Sequence, residues 1–313
     1  MARCLVIGAG VMGLSQAHRL ANDGHRVSIL TSPYDQIQQH NESYICPFGS
    51  IHSSIIVLET LSDSDYDFIF VATSVAGLNW AVSIIQQCKH PKVILLTKGW
   101  LNIDREVVYP YRYLIQNLIQ QLPVAQLSGP CLASDLYAGN LVVNNVASTN
   151  PELTNLVVEA FSTSSYQIKA VDSIDAVSIF GALKNIYAIY LSICETISLS
   201  TASARLVDVI GEMNEIYKQQ KFDHFDPLIV HDVCGVGDLV LTSKGGRNGK
   251  LGQYLAQYLT IQDAIKPLSG VTLEGYSLGL KIDESNFCTD HFPILHKMIE
   301  ILTGRTRLNL DSL

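Results

Sequence analysis

The chain has 313 residues, 48% of them hydrophobic and 16% charged, with a formal net charge of −8. That length allows two cores, the apolar content excludes a disordered chain, and the negative balance disfavours broad attraction to nucleic acid or to an anionic membrane. An anionic ligand would have to be held by a local cluster of Lys and Arg, and no basic stripe is present.

Apolar runs at residues 4–7, 26–30, 55–58, 68–72, 93–97 and 124–127 read as strands, and residues 11–21, 76–87 and 104–120 between them have helical spacing. This alternation predicts βα units and a mostly parallel sheet. Runs at 141–147 and 166–171 extend the sheet around a helix at 151–161. From residue 173 onward strand patterning ends, and helical stretches at about 176–220, 251–259, 273–282 and 293–302 are separated by polar or glycine-rich loops. The expected division is an α/β domain over residues 1–174 followed by an all-helical domain over 175–313. Phe222-Asp223-His224-Phe225-Asp226-Pro227 predicts a turn, and Gly245-Gly246-Arg247-Asn248-Gly249 a loop or a helix start.

Cys4, Cys46, Cys88, Cys131, Cys194, Cys234 and Cys288 are widely spread, with no Cys-x-x-Cys pair, and the residues before Cys4 hold no basic leader. Both features predict reduced thiols in a cytoplasmic protein. The apolar stretch at 186–194, bounded by Lys184 and Glu195, is shorter than the ~20 residues of a bilayer span, so no membrane insertion is expected. His224 and His231, or His291 and His296, lack ligand spacing with supporting Cys or carboxylates, and no metal is predicted. Asn41-Glu42-Ser43 fits a glycosylation sequon that has no meaning without secretion.

Gly8-Ala9-Gly10-Val11-Met12-Gly13 follows the first strand and opens the first helix, the context that a dinucleotide-binding, Rossmann-like loop requires. The glycines allow a tight turn, a close approach of pyrophosphate and helix–strand packing, while the helix start offers N–H groups to phosphate. The second strand ends Ile29-Leu30-Thr31-Ser32, with neither an acid for a ribose 2′-hydroxyl nor an arginine for a 2′-phosphate, so NAD and NADP both stay open. Leu95-Leu96-Thr97-Lys98-Gly99 puts a lysine at a strand's carboxyl end, where open α/β sheets bind ligands; the alternative is a surface lysine closing a strand. Ser128-Gly129-Pro130 would shape the same rim, and Cys131 beside it reads as a buried thiol rather than a nucleophile.

Gly181-Ala182-Leu183-Lys184-Asn185 sets a lysine and an amide in an otherwise apolar helix. An ammonium buried without partners costs several kcal/mol, so Lys184 needs a carboxylate and is a candidate proton donor. Gly237-Asp238-Leu239, Thr242 and Gly245-Gly246-Arg247-Asn248 gather a carboxylate, a hydroxyl, a guanidinium and an amide, of which Arg247 and Asn248, with local N–H groups, can hold a phosphate. Taken singly, Asp238 could be a helix N-cap and Arg247 a solvated charge.

In this order these motifs resemble the NAD(P)-dependent glycerol-3-phosphate dehydrogenases over nearly the whole chain. The resemblance implies a catalytic group of Lys98, Lys184, Asp238 and Thr242. It implies substrate contacts from Lys98, Gly129, Lys184, Asn185, Thr242, Arg247 and Asn248. Cofactor contacts are implied at Gly8, Gly10, Val11, Met12, Gly13, Lys98 and Arg247, and at Glu274 in Leu273-Glu274-Gly275. It further implies NAD or NADP as cofactor, a small phosphorylated substrate and a place in glycerol-3-phosphate metabolism and phospholipid biosynthesis. The long apolar helices leave room for a homodimer. Where the family carries Gly-x-Asn-x-Arg, this chain has Ser192, Thr196, Ser200 and Thr201-Ala202-Ser203-Ala204-Arg205, with Ala202 at the Asn position. That departure keeps two alternatives in view: another small anionic carbonyl substrate, or a nucleotide-binding paralogue without turnover.

Overall fold

The computed structural model describes residues 1–32, 34–35, 38–40, 43–119, 121–220 and 225–312; Asn41 and Glu42 of the sequon and Phe222, Asp223 and His224 of the expected turn lie outside them. Two compact units divide the chain, one comprising Met1–Lys98 with Pro110–Val177 and the other Gly99–Tyr109 with Ser178–Leu313.

The first unit runs β1 (Arg3–Ile7), α1 (Val11–Asn22), β2 (Arg26–Leu30), β3 (Gln38–His40), β4 (Ser43–Cys46), β5 (Gly49–Ser50), β6 (Ile56–Leu58), β7 (Phe68–Val71), α2 (Leu78–Ile85) and β8 (Lys92–Leu95). After the hairpin β9 (Leu101–Ile103) and β10 (Glu106–Val108), it continues as α3 (Pro110–Asn117), β11 (Val124–Ser128), α4 (Ala133–Ala138), β12 (Val142–Ser148), α5 (Pro151–Phe161) and β13 (Tyr166–Ala170). Eight strands form one sheet in the order β13-β12-β11-β8-β7-β1-β2-β6. Every neighbouring pair is parallel except β11 with β12. Cys4, Leu5, Val6, Ile7, Ile69, Val71, Val93, Ile94 and Leu95 are all fully buried, as expected of central parallel strands covered on both faces. Chain order departs from β1 in two directions, to β2 and β6 on one side and to β7, β8 and β11 on the other. That reversal puts a switch point between β1 and β7, the place where such sheets take ligands. The small sheet β3-β4-β5 and α4 were not anticipated, their strands and helix being too short for a periodicity to register.

Residues 99–109 depart from the expected layout. They do not start a helix; Asp104 and Arg105, with φ of 51° and 67°, form a two-residue turn, and β9 pairs with β10 antiparallel within the second unit. A turn with two positive φ values normally advertises itself by Asn or Gly, and Asp-Arg does not. Helix α3 then starts at Pro110, whose missing N–H costs nothing in a first turn.

Among the described residues, the regular structure of the second unit is helical apart from that hairpin. It contains α6 (Ile174–Ile197, begun in the first unit), α7 (Leu199–Gln219), α8 (Asp238–Lys244), α9 (Gly246–Tyr258), α10 (Ile261–Ala264), α11 (Glu274–Asp283) and α12 (Pro293–Leu302). The single helical stretch expected over 176–220 is broken at Ser198, whose extended backbone caps α7 and whose hydroxyl accepts from Thr201 N–H at 2.9 Å. At 24 residues, α6 is long and apolar enough by length and composition to cross a bilayer, beyond the shorter run expected, but its apolar window is wholly buried inside the protein. That apolarity serves the core.

Helix α12 starts without a side-chain cap of its own. The buried Glu212 of α7 supplies one, accepting from Ile294 N–H at 2.9 Å and Leu295 N–H at 2.7 Å, and from the Tyr187 hydroxyl of α6 at 2.7 Å. Burial first, and the adjacent carboxylate second, hold the Tyr187 phenol well above its ordinary pKa, so it stays a donor. One carboxylate thus ties three helices. Glu212→Ala is expected to lower the stability of the protein by about 2–4 kcal/mol and Tyr187→Phe by about 1 kcal/mol, both measured by urea unfolding.

Candidate active site

The Gly8–Gly13 loop joins β1 to α1 at the carboxyl edge of the sheet. Gly8 has a φ of 101°, and its backbone lies against the end of β7, where a Cβ would meet Ala72 and Thr73 at 3.2 Å. A Cβ on Gly13 would sit 2.0 Å from Gly8 O, so only hydrogen lets α1 close on its own loop. Gly10 is different: a Cβ there meets nothing within 4 Å, and it caps α1 with no side-chain bond to the first-turn N–H groups. Open space before an uncapped helix start is what a dinucleotide pyrophosphate requires. Val11 is 44% exposed and Met12 partly buried at that start.

Lys98 follows β8 on the same carboxyl edge. Thr97 is buried and its hydroxyl donates to Thr73 O at 2.8 Å, while Gln126 Nε2 donates to Leu95 O at 3.0 Å and Thr97 O at 3.3 Å. With the strand end so anchored, Lys98 Nζ donates to Gly129 O at 3.3 Å, next to β11. The expected rim of Lys98 and Gly129 is therefore contiguous. Cys131 is a partly buried thiol in no disulfide.

In the second unit Lys184 and Asp238 meet. Lys184 Nζ lies 2.6 Å from Asp238 Oδ1 and donates to Thr242 Oγ1 at 3.1 Å, with Lys184 only 7% and Asp238 only 2% exposed. Asp238 and Thr242 are four residues apart and so share a face of α8. The Thr242 hydroxyl in turn donates to Asp238 O at 2.6 Å. A single π-helical turn, Val233–Gly237, leads into α8, a form concentrated at functional sites. Asp238 is not the N-cap of α8 but its first residue.

One residue along α6, Asn185 faces other helices. Asn248 Nδ2 donates to Asn185 Oδ1 at 2.8 Å, and Asn248 Oδ1 accepts from Gly275 N–H at 3.1 Å at the start of α11. A Cβ on Gly275 would lie 2.5 Å from Asn185 O, so α11 reaches α6 only through that glycine. Asn248 therefore orients Asn185 and pins two helix starts. Arg247 is half-exposed at the start of α9, its guanidinium 3.9 Å from the Glu274 carboxylate, too loose and too wet a pair to add much stability. Gly245, the N-cap of α9, makes no side-chain bond to the helix.

Sequence reading missed two features. Ser192 donates to Gly249 O at 2.8 Å and braces α6 against α9 beside Asn248. Asp35 places Oδ2 2.7 Å from Ser32 N and 3.2 Å from Ala9 N, joining the end of β2 to the glycine loop. It lies five residues beyond the strand, past the point where an acid was sought. The Arg205 guanidinium bonds Asp208 at 2.9 Å on the surface of α7.

A parallel sheet with a glycine-loop helix start, followed by helices that bury a lysine–aspartate pair, defines a two-domain nicotinamide-dependent oxidoreductase. Residues 3–154 match the N-terminal and residues 173–310 the C-terminal family model of NAD-dependent glycerol-3-phosphate dehydrogenase, and the chain belongs to that family. It is 29% identical to the glycerol-3-phosphate dehydrogenase [NAD(P)+] of Pseudomonas fluorescens over 85% of this chain and 80% of the relative. It is 27% identical to that of Acinetobacter baumannii over 98% and 88%. Among solved structures, glycerol-3-phosphate dehydrogenase from Coxiella burnetii shares the fold with a TM-score of 0.82 at 20% identity, over 99% of this chain and 97% of the other. The Plasmodium falciparum enzyme does so with a TM-score of 0.82 at 21% identity, over 100% and 94%.

Asp238→Ala strands the Lys184 charge and is expected to cost about 3–5 kcal/mol of stability. The double change Lys184→Met with Asp238→Leu removes both charges and should recover most of that loss in urea unfolding, which separates the electrostatic role from simple packing.

Proposed function

We propose that this chain interconverts dihydroxyacetone phosphate and sn-glycerol 3-phosphate, with Lys184 as the proton donor of the reductive direction. The observation that carries this reading is the Lys184 ammonium, held 2.6 Å from Asp238 and 3.1 Å from Thr242 in a helix that is otherwise apolar. Family membership supplies the reaction class. The open space at Gly10 and the uncapped start of α1 fit a dinucleotide, so Gly8, Gly10, Val11, Met12 and Gly13 would hold it. When bound, the nicotinamide supplies the hydride.

Lys184 gives its proton to the substrate oxygen as that oxygen gains negative charge, and Asp238 favours return of the lysine to its charged form. In the oxidative direction the neutral amine takes the hydroxyl proton. Lys98 is assigned to polarising the substrate carbonyl. Thr242 fixes the direction of the ammonium. The substrate phosphate is assigned to Arg247 and the start of α9, where an uncapped helix terminus and a guanidinium offer complementary donors. Asn185, kept in place by Asn248, is assigned to the substrate, and Glu274 to orienting Arg247 beside the cofactor. Binding energy from the phosphate, remote from the reacting carbon, aligns the carbonyl.

None of the seven cysteines is in a disulfide, which supports a cytoplasmic setting, and Ile197, Leu199 and Val207, 46%, 64% and 69% exposed, are apolar side chains that a homodimer of helical units would cover. Production of sn-glycerol 3-phosphate is the direction that would serve phospholipid biosynthesis. A second substrate, another small anionic carbonyl compound, is favoured only by the segment 192–205, where the resemblance implies glycine and asparagine and this chain has Ser192 and Ala202.

Lys184→Ala is expected to lower kcat at least ~100-fold while NADH or NADPH binding persists; near-normal turnover would remove Lys184 from the mechanism. Arg247→Ala should chiefly raise KM for dihydroxyacetone phosphate, by about tenfold or more, because it loses an interaction common to ground and transition states. If dihydroxyacetone without phosphate is turned over as well as its phosphate by the unaltered enzyme, the phosphate assignment is wrong.

A further inference from the structure

We propose that Asp35 makes this enzyme select NAD(H) over NADP(H). The inference rests on the dinucleotide reading of the Gly8–Gly13 loop and goes beyond it, since that loop binds the pyrophosphate common to both cofactors.

In a sheet of this topology the adenosine ribose lies between the glycine loop and the carboxyl end of the second strand, and an acidic side chain there grips the 2′-hydroxyl. Asp35 occupies that junction. Its Oδ2 receives the N–H of Ala9, inside the loop, at 3.2 Å and the N–H of Ser32, just past β2, at 2.7 Å, and its own N–H donates to Ser32 O at 3.1 Å. The side chain is only partly buried. A carboxylate so anchored can accept from a ribose hydroxyl, and its charge opposes a phosphate placed on the same oxygen.

Charge composition carries the argument further. No Lys or Arg occurs between Arg26 and Lys89, a stretch that includes the end of β2, the whole β3-β4-β5 sheet, β6 and the end of β7. Arg26 itself opens β2, at the edge opposite the glycine loop. A 2′-phosphate carries close to two negative charges and needs an arginine or lysine to replace its hydration. In a chain with a net charge of −8 the long-range field does not provide it. The site thus has the acceptor that NAD uses, and its surrounding segments lack the cation that NADP needs.

The test is equilibrium titration of the purified protein with NADH and with NADPH, followed by nicotinamide fluorescence without substrate. The unaltered protein is expected to bind NADH about tenfold or more tightly than NADPH. Asp35→Asn keeps an oxygen for the Ala9 and Ser32 N–H groups while removing the charge. It should bring the ratio of the two Kd values down by about fivefold or more, chiefly through tighter NADPH binding. Tyr34→Arg, at a side chain 93% exposed, leaves Asp35 untouched and supplies the missing cation, so it should also tighten NADPH selectively. Equal binding of both cofactors by the unaltered protein, or an unchanged ratio in both variants, overturns the proposal while leaving dinucleotide binding intact. Failure to bind either cofactor overturns the dinucleotide reading and this inference together.

Discussion

A lysine ammonium and an aspartate carboxylate 2.6 Å apart, both almost wholly withdrawn from water, set the terms for the second unit. Taking two such ions out of water costs several kcal/mol each, and their attraction returns that cost only when geometry and further hydrogen bonds are good. Apolar side chains of similar volume would serve the core of α6 at least as well. The pair is thus poorly explained as a device for stability, and the features around it read as arrangements for holding it. Asp238 and Thr242 are set one helical turn apart so that both address one ammonium, and a π-helical turn delivers α8 to that position.

The same stretch of α6 organises the next layer through helix geometry alone. Lys184 and Asn185 are adjacent, so their side chains diverge by about 100° around the axis. One reaches α8 and the other reaches α9 and α11 through Asn248 and Gly275. Three helices are thereby indexed to two consecutive residues. Ser192, two turns further on, adds a hydrogen bond to α9 at Gly249, so its hydroxyl joins the two helices.

Much of this was legible because its signals are local. Strands buried on both faces are continuous apolar runs, and the glycine loop lies between a strand and a helix, so β1, β2, β7, β8 and β11 and the carboxyl-edge position of Lys98 could be read directly. Lys184 was legible as an anomaly, since a charge inside an apolar helix calls for a partner far along the chain. Other features hide for physical reasons. The Asp104-Arg105 turn adopts positive φ without glycine or asparagine, Ser198 breaks a helix through a cap that resembles any surface serine, and Glu212 caps a helix some eighty positions away. Asp35 reaches the glycine loop from beyond the strand end, a link made by tertiary proximity that no spacing rule encodes.

The two buried acids of the second unit, Glu212 and Asp238, show how partners distinguish structure from chemistry. Glu212 meets two N–H groups that the start of α12 would otherwise leave over, together with a phenol that burial keeps protonated. Its charge answers a need that the backbone itself creates, so its removal is felt as lost stability. Asp238 answers a charge that the backbone did not require, placed by a side chain at mid-helix. A buried carboxylate that satisfies helix termini belongs to the scaffold, whereas one whose main partner is another removable charge carries an electrostatic cost that the fold itself does not require.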